Sequence, residues 1–511
     1  MVDSKRIVIN TVAQYVRTVF NTVLALYSTR LVLSALGHYD YGLYALIGGV
    51  ITMLGFITNA MLVTTQRHLS FAHGSKEHDN TRKIFANSLL LHISFGLLLV
   101  VVLLSLSSPI INSLLHIDLQ RKSAAEIVYV LVVVSLFLTF ITAPYRALFI
   151  ANENIVYISV IDVLDGVFKL LLAVWLCHIS WDRLQVYSWM MLGIVVFNMF
   201  AFALYGTYKY RESRIRFSQS EFSISIIKDI TGFAGWTIYS MGCVIGRTQG
   251  VAVLLNRFFG AVVNSAYGIA NQVFSSIQFV AQAIQNAMSP QIFKAEGAGN
   301  HKQMLVLAGR LSRYSFILMS MITIPLLFEM NDILSLWLGK VPQYTADFCC
   351  FILLASLLDQ LTIGLGVANQ AIGRIKNYSL AVNTIKLMTL PVVWLCLRNG
   401  SDIIAAMWCY LLIEVLCAIV RLPFLRKTAG LSIRSYVHDT LLKALLPVCF
   451  NALTTWLLTE IFSFPFRFFV SIPLSMAASS GYIWLLGLND NERILAKEYA
   501  KSIILKYKTS K

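Results

Sequence analysis

Five cations stand inside stretches that are otherwise apolar: Arg17, Arg30, Lys169, Arg247 and Lys386. A charge placed in hydrocarbon is costly, so such a residue must face a wet cavity, a counter-ion or an anionic ligand. Arg17 shares one helical face with Asn10, Gln14, Asn21 and Ser28, at a depth from which its side chain has no short route to an interface. Arg247 continues a stripe of Trp236, Ser240 and Cys243. Arg30 lies near the end of its stretch on the opposite face, where it either snorkels to the interface or adds to the cationic set. Guanidinium groups suit the planar, two-point contacts that phosphates and carboxylates offer, so this set predicts an anionic ligand.

Acidic residues occupy the same kind of stretch. Asp165 and Lys169 stand four apart on one helix and can neutralise each other. Asp162, Asp359 and Glu414 are the coupling-ion or proton candidates. Asp359 and Glu414 have no partner within their own helices, which leaves a second reading open for them: cross-helix pairing with Lys386 or Arg247. No nucleotide-binding loop, HExxH motif or nucleophile motif occurs, and the soluble segments are too short to hold a catalytic domain. Transport is therefore expected over catalysis, with no cofactor. The eight cysteines form no CxxC pair and have no histidine at metal spacing, so no metal centre is expected.

Uncharged polar residues extend the pattern. At about 100° per residue, Asn264, Tyr267, Asn271, Ser275, Gln278, Gln282, Gln285 and Ser289 fall within roughly 80° of arc on one helix. Tyr41, Tyr44, Gly48, Thr52, Gly55, Asn59 and Gln66 form a matching row earlier in the chain. A single amide between membrane helices is worth about 1 kcal/mol and needs no cavity. Rows this long predict a wet one, lined by the first, second, seventh and eighth spans.

The elements that must carry these residues follow from composition. Of 511 residues, 57% are hydrophobic and only 13% charged, too few charges to cover a soluble domain of that length. Apolar runs predict about fourteen spans, at 8–35, 42–64, 85–106, 125–149, 156–177, 186–206, 229–255, 261–287, 312–330, 346–368, 378–397, 403–420, 441–461 and 467–487. The basic start (Lys5, Arg6) precedes a retained first span, not a cleaved signal.

The net charge of +16 is spread over short connections and does not form one basic domain, so no nucleic-acid partner is expected. Even-numbered connections hold most of the cations: Arg67, Lys76, Arg82 and Lys83; then Lys209, Arg211, Arg214, Arg216 and Lys228; then Arg421, Arg426, Lys427 and Arg434. The positive-inside bias places that side, and both termini, in the cytoplasm. The tail 489–511 is read either as a basic amphipathic helix lying on the membrane lipids of the inner leaflet or as a solvated terminus.

The chain also repeats itself at an offset of 223 residues: Gly37 matches Gly260, Tyr44 matches Tyr267 and Gly74 matches Gly297. Near an offset of 221, Tyr157 matches Tyr378. An even number of spans separates the halves, so they are parallel repeats. The expected architecture is an all-α integral membrane protein of two six-helix lobes with a C-terminal helix pair. Its parts are an N-lobe at 1–228, a C-lobe at 229–430, and 431–511 holding the extra helices and the tail.

The segments Gly37–Ala45 and Gly260–Ala270, the loop from Arg67 through Gly74, and the run Ala143–Asn154 (APYRALFIANEN) resemble the Wzx-type polysaccharide flippases. These belong to the MOP superfamily with the MATE drug exporters and the lipid II flippase MurJ. The resemblance covers roughly residues 5–425 and implies alternating access in a bacterial inner membrane. The substrate it implies is an undecaprenyl-pyrophosphate-linked oligosaccharide for surface polysaccharide, with its pyrophosphate in a cationic cavity and its tail in the bilayer. Glycan polymerase or assembly proteins would be its partners, and a monomer is the default state. Many Wzx-type members have twelve spans, so the extra pair is closer to MurJ. MATE exporters often carry acidic residues in the first span, where this chain has two arginines. The expected ligand contacts are Arg17 and Arg247, with Arg30, Gln14, Asn21, Asn271, Gln278 and Gln282 around them. A MurJ-like lipid II flippase, a MATE-type antiporter and a non-transporting scaffold for glycan assembly stand as the alternatives.

Overall fold

The structure is a computed structural model that describes residues 4–52, 54–75, 78–109, 111, 117–214, 222–462, 464–490 and 492–494. Among these residues all regular structure is helical. The long helices are α1 (Ser4–Thr52), α2 (Gly55–Ser75), α3 (His78–Ser105), α4 (Lys122–Ala151), α5 (Ile155–Leu176), α6 (Arg183–Lys209), α7 (Ile224–Phe259) and α8 (Ala261–Gly297). They continue with α9 (His301–Phe328), α10 (Thr345–Gln360), α11 (Ile363–Ile372), α12 (Ile375–Arg398), α13 (Ile403–Ala429), α14 (Ile433–Ile461) and α15 (Phe468–Gly487).

Ten helices are long and apolar enough to cross a membrane, and α10 with α11, bent by 45° at their junction, make an eleventh span if counted as one. Length and composition thus support ten or eleven spans among the described residues, not the fourteen expected. The three segments that fall short are helical: α5 carries Asp162, Asp165 and Lys169, α8 carries its amide row, and 42–64 is divided between α1 and α2. The protein is a multi-pass membrane protein whose least apolar helices are those with the polar stripes. The amphipathic reading of the tail from Leu495 onward lies outside the described residues, as do Lys76 and Arg216.

The glycines matched by the repeat are backbone necessities. Gly37 has φ 76° and ψ 170°, a region that only glycine enters without strain, and it kinks α1. Gly260 has φ 83° and separates α7 from α8 at the equivalent point. Gly37→Ala is expected to cost about 2 kcal/mol through backbone strain alone. A lowered unfolding midpoint of the detergent-solubilised protein, with no loss of helix content, is the measurement that checks it.

Two compact units make up the chain. One comprises 8–241 with the segment 293–299, and the other 1–7, 242–292 and 300–511. The core of the first gathers Val32, Leu36, Ile47, Val128, Tyr129 and Phe140 around the kinked α1 and α4. The core of the second gathers Leu255, Tyr267, Phe316, Phe348, Leu353 and Met407.

Polarity is inverted on α1. Asn10 and Gln14 are buried, whereas Val12, Val16, Val19, Phe20, Val23 and Tyr27 are exposed. That pattern fits a helix with lipid on its outer face and polar bonds inside. The exposed face of α8 is the reverse, with Ser265, Gly268, Gln272, Ser275, Ser276, Gln282 and Asn286 on the surface of their unit. Amides and hydroxyls are costly in hydrocarbon, so a face of this kind is expected to meet water or a polar partner.

The pair α14–α15 joins the second unit through polar contacts. Thr455 Oγ1 and Ser475 Oγ lie 2.6 Å apart, and Ser475 Oγ donates to Asn451 Oδ1 at 2.8 Å. Glu329, wholly buried after α9, accepts from Ser471 Oγ at 2.8 Å and from Arg467 Nε at 3.1 Å. The extra helices are thereby packed on α9. At the tail, Glu492 is paired with the buried Arg313 of α9.

Candidate functional site

In the first unit, Asp162 of α5 is held by two arginines. Arg17 Nη1 lies 2.7 Å from Asp162 Oδ2. Arg146 of α4 makes a forked contact, with Nη1 at 2.8 Å from Oδ1 and Nη2 at 3.1 Å from Oδ2. Asn21 Nδ2 donates to the Asp162 backbone carbonyl at 3.1 Å, and Asn10 Nδ2 donates to the Glu153 carbonyl at 2.9 Å. Gly166 brings α1 and α5 together, because a Cβ there would meet Asn21 Oδ1 at 2.9 Å. The polar stripe of α1 is therefore turned onto α5, with Gln14 buried in the same row.

Through Arg146 this cluster borders a cavity of about 460 Å³ within the unit, where Thr58, Asn59, Ser135, Thr139, Thr142 and Asn198 interrupt a largely apolar lining. Asn198 Nδ2 donates to Asp165 Oδ1 at 2.7 Å, and Lys169 Nζ pairs with Asp165 Oδ2 at 2.7 Å, as the four-residue spacing predicted. Three cations face two carboxylates here, leaving one positive charge in excess. Arg146 lines the cavity and keeps about a third of its side chain exposed, while Arg17, bonded to the same carboxylate, keeps about a fifth.

The second unit has a network of the same charge count but closed. Glu414 of α13 lies between Arg247 Nη1 of α7 at 2.6 Å and Lys386 Nζ of α12 at 2.8 Å. Lys386 Nζ also reaches Asp359 Oδ1 of α10 at 2.7 Å, and Arg421 Nη2 of α13 reaches the same oxygen at 2.8 Å. Arg247 further stacks on Tyr410, 4.6 Å from its ring centre. Arg247, Lys386, Arg421 and Glu414 are each about a tenth exposed or less, so they hold one another and not a solvent-facing ligand. A wide turn over Ser379–Asn383, with i→i+5 bonding, precedes Lys386 and resets its face.

Cross-helix pairing is thus the reading of Asp359 and Glu414 that the geometry bears out. Asn271 bonds the Tyr267 carbonyl at 2.8 Å, Gln278 is half-buried, and Gln282 is exposed on the polar face of α8. Arg30 is exposed.

Three residues were missed or misplaced by the sequence reading. Arg421 was counted as a loop cation, but α13 runs on to Ala429 and carries it buried. Arg67 was likewise placed in a connection, whereas α2 extends to Ser75 and buries it against Phe71 and Phe233. Arg146 lay inside a quoted motif with no role assigned. Its place in the middle of the thirty-residue α4 was the signal available. Outside the spans, Asp40 meets Arg121 at 2.6 Å, yet burial holds its carboxyl above the ordinary value.

Compared by sequence, the chain matches no family model and no curated protein. Compared by structure, it is similar to solved transporters at low identity. A MATE transporter in its bent conformation superposes with a TM-score of 0.73 at 13% identity, covering 84% of this chain and 95% of that one. A MOP superfamily transporter from Pyrococcus furiosus, described by the reverse polarity of its binding pocket, gives 0.71 at 12%, covering 83% and 96%. The MATE transporter ClbM in complex with Rb+ gives 0.67 at 15%, covering 84% and 95%. The chain has the all-helical fold of the MATE transporters of the MOP superfamily.

Proposed function

We propose that this protein is a transporter that carries an anionic, lipid-linked substrate across the bacterial inner membrane by alternating access, with both termini in the cytoplasm. The substrate class is a polyprenyl-pyrophosphate-linked oligosaccharide. The observation that carries the reading is the excess guanidinium charge of Arg17 and Arg146 on Asp162, with Arg146 lining a largely apolar cavity that also carries hydroxyls and amides. Two guanidinium groups on one carboxylate have spare donors for a pyrophosphate, and the hydroxyls and amides of the cavity suit sugar hydroxyls. Asn21, which donates to the Asp162 backbone carbonyl, holds α1 against α5 beside Arg17. Arg247 contributes by holding Glu414. Arg30 is an interfacial cation that meets the lipid headgroup. The fold neighbour described by the reverse polarity of its binding pocket supports the idea that pocket polarity varies within this fold.

Complementation of a strain lacking its polysaccharide flippase tests this. Arg17→Ala with Arg146→Ala is expected to abolish surface polysaccharide at unchanged protein level. Full restoration by that double variant would sink the cationic-site reading.

A second reading, ion-coupled export of a small cationic molecule, is favoured by one observation: a part-exposed carboxylate, Asp162, is bonded to the cavity-lining Arg146. The two readings predict opposite results for Asp162→Asn. Its ion pairs are part-exposed, so the stability cost is about 1 kcal/mol. If the substrate is anionic, freeing both arginines is expected to tighten binding of pyrophosphate-bearing lipid several-fold. If the substrate is cationic, the variant loses dye efflux.

A further inference from the structure

Two thiols meet at one end of the α12–α13 pair, away from every group used above. Cys396 Sγ and Cys409 Sγ are 3.3 Å apart, and both cysteines are free and half-buried. The turn between the helices fixes this approach. Gly400, at φ 78°, lets its own N–H donate to the Leu397 carbonyl at 3.1 Å, while Ser401 N–H donates to the Cys396 carbonyl at 3.1 Å. Asp402 then caps α13, accepting from Ile403 N–H at 2.6 Å. Cys409 is packed with Val393, Leu397, Ala406 and Leu254, which restricts its movement away from Cys396.

Depth follows from the flanking residues. Trp394 and Trp408 are exposed, and Arg398 lies over Trp394 at 5.0 Å from its ring centre. Exposed tryptophans with a cation mark the headgroup level, where a water-soluble thiol reagent reaches.

We propose that Cys396 and Cys409 are a disulfide-forming pair that staples α12 to α13 when the protein meets a disulfide oxidant. The sulfurs need to close by little more than about 1 Å to reach bonding distance. One cysteine thiolate attacks a sulfur of the oxidant and expels a thiolate, leaving a mixed disulfide. The second cysteine then attacks the protein sulfur of that mixed disulfide and expels the other thiolate. The protein loses two protons and two electrons, and the disulfide oxidant becomes two thiols; with a diazene such as diamide, the first thiolate adds to the N=N bond and the second displaces the resulting hydrazine, to the same disulfide.

The bond matters because α12 carries Lys386 and α13 carries Glu414 and Arg421, so stapling their outer ends keeps those charges in register. Formation of the bond in cells rests on the orientation proposed above, which puts the 399–402 turn on the extracytoplasmic, oxidising side. The capacity to form it rests on the geometry alone.

The test uses the full-length protein in lipid nanodiscs, treated with oxidised glutathione and separately with diamide, then alkylated and digested. Two fewer of the eight cysteines are expected to alkylate, with a peptide joined through Cys396 and Cys409 and an unfolding midpoint raised by a few degrees until dithiothreitol is added. Cys396→Ser is expected to restore alkylation of Cys409. Full alkylation of both thiols after diamide, in protein that remains folded, would overturn the proposal. Acid-quenching intact cells separates the two claims. A pair that forms in nanodiscs but is reduced in cells would refute the orientation and leave the pair standing.

Discussion

Glu414→Ala is expected to remove most of the folded protein from the membrane. Glu414 is 1% exposed and lies between Arg247 at 2.6 Å and Lys386 at 2.8 Å. Its loss leaves two buried cations with one fewer anion between them. Breaking a buried ion pair by removing one partner costs about 3–5 kcal/mol, a large fraction of any domain's stability. Asp359 cannot take up the released charge, since Lys386 and Arg421 already hold it. A test by fluorescence-detected size exclusion should therefore show little monodisperse protein for Glu414→Ala. Arg247→Met combined with Glu414→Leu, which removes both charges and keeps the volume, should recover much of it. If Glu414→Ala behaves like the parent protein, the buried network does not hold these helices together.

The second large effect is expected at Gly297. Within the first unit, a Cβ on Gly297 would run into the backbone carbonyl of Phe71, and a Cβ on Gly74 would run into that of Lys294. The contact is reciprocal and obeys the repeat, since Phe71 and Lys294, like Gly74 and Gly297, are 223 residues apart. Backbone cannot rotate away as a side chain does, so the helix ends must separate. Lys294 Nζ is also bonded to the nearly buried Glu153 at 2.6 Å, and Glu153 sits in the left-handed region at φ 57°. Separating the helices would therefore strain a salt bridge as well. Gly297→Ala is expected to cost about 1–3 kcal/mol by overpacking, and Gly297→Leu more. Thermal unfolding in detergent should rank parent, alanine and leucine in that order. Equal midpoints would show that the crossing is looser than the structure has it.

Much of the architecture was legible in the sequence because hydrocarbon imposes a simple rule on it. Each of the fourteen expected segments falls on helix, and the repeat-matched Gly37 and Gly260 both have positive φ. The four-residue spacing of Asp165 and Lys169 announced their bond because one helix carries both. What could not be read was which faces meet. Arg17 and Asp162 are 145 positions apart, and nothing in their separate helices says that α1 turns its polar row onto α5. The same limit left the fate of Asp359 and Glu414 open until α7, α10, α12 and α13 were seen together. Arg421 and Arg67 were misread for another reason: hydropathy places a span's end where charge begins, and a buried, paired charge moves that end outward by several residues. The predicted row on α8 is not its exposed face: Tyr267 and Ser289 are buried, Asn264, Asn271, Gln278 and Gln285 are half-buried, and only Ser275 and Gln282 join the exposed Ser265, Gln272, Ser276 and Asn286.

The central claim is transport of a lipid-linked anion through a site built on Arg17 and Arg146. The most direct measurement is translocation of a fluorescent polyprenyl-pyrophosphate-linked oligosaccharide in vesicles reconstituted with the purified protein. The account predicts that the parent protein moves this lipid across the bilayer, and that Arg17→Ala with Arg146→Ala reduces the rate at least tenfold. Lipid that stays in its original leaflet, alongside uptake or efflux of a cationic dye by the same vesicles, would contradict it.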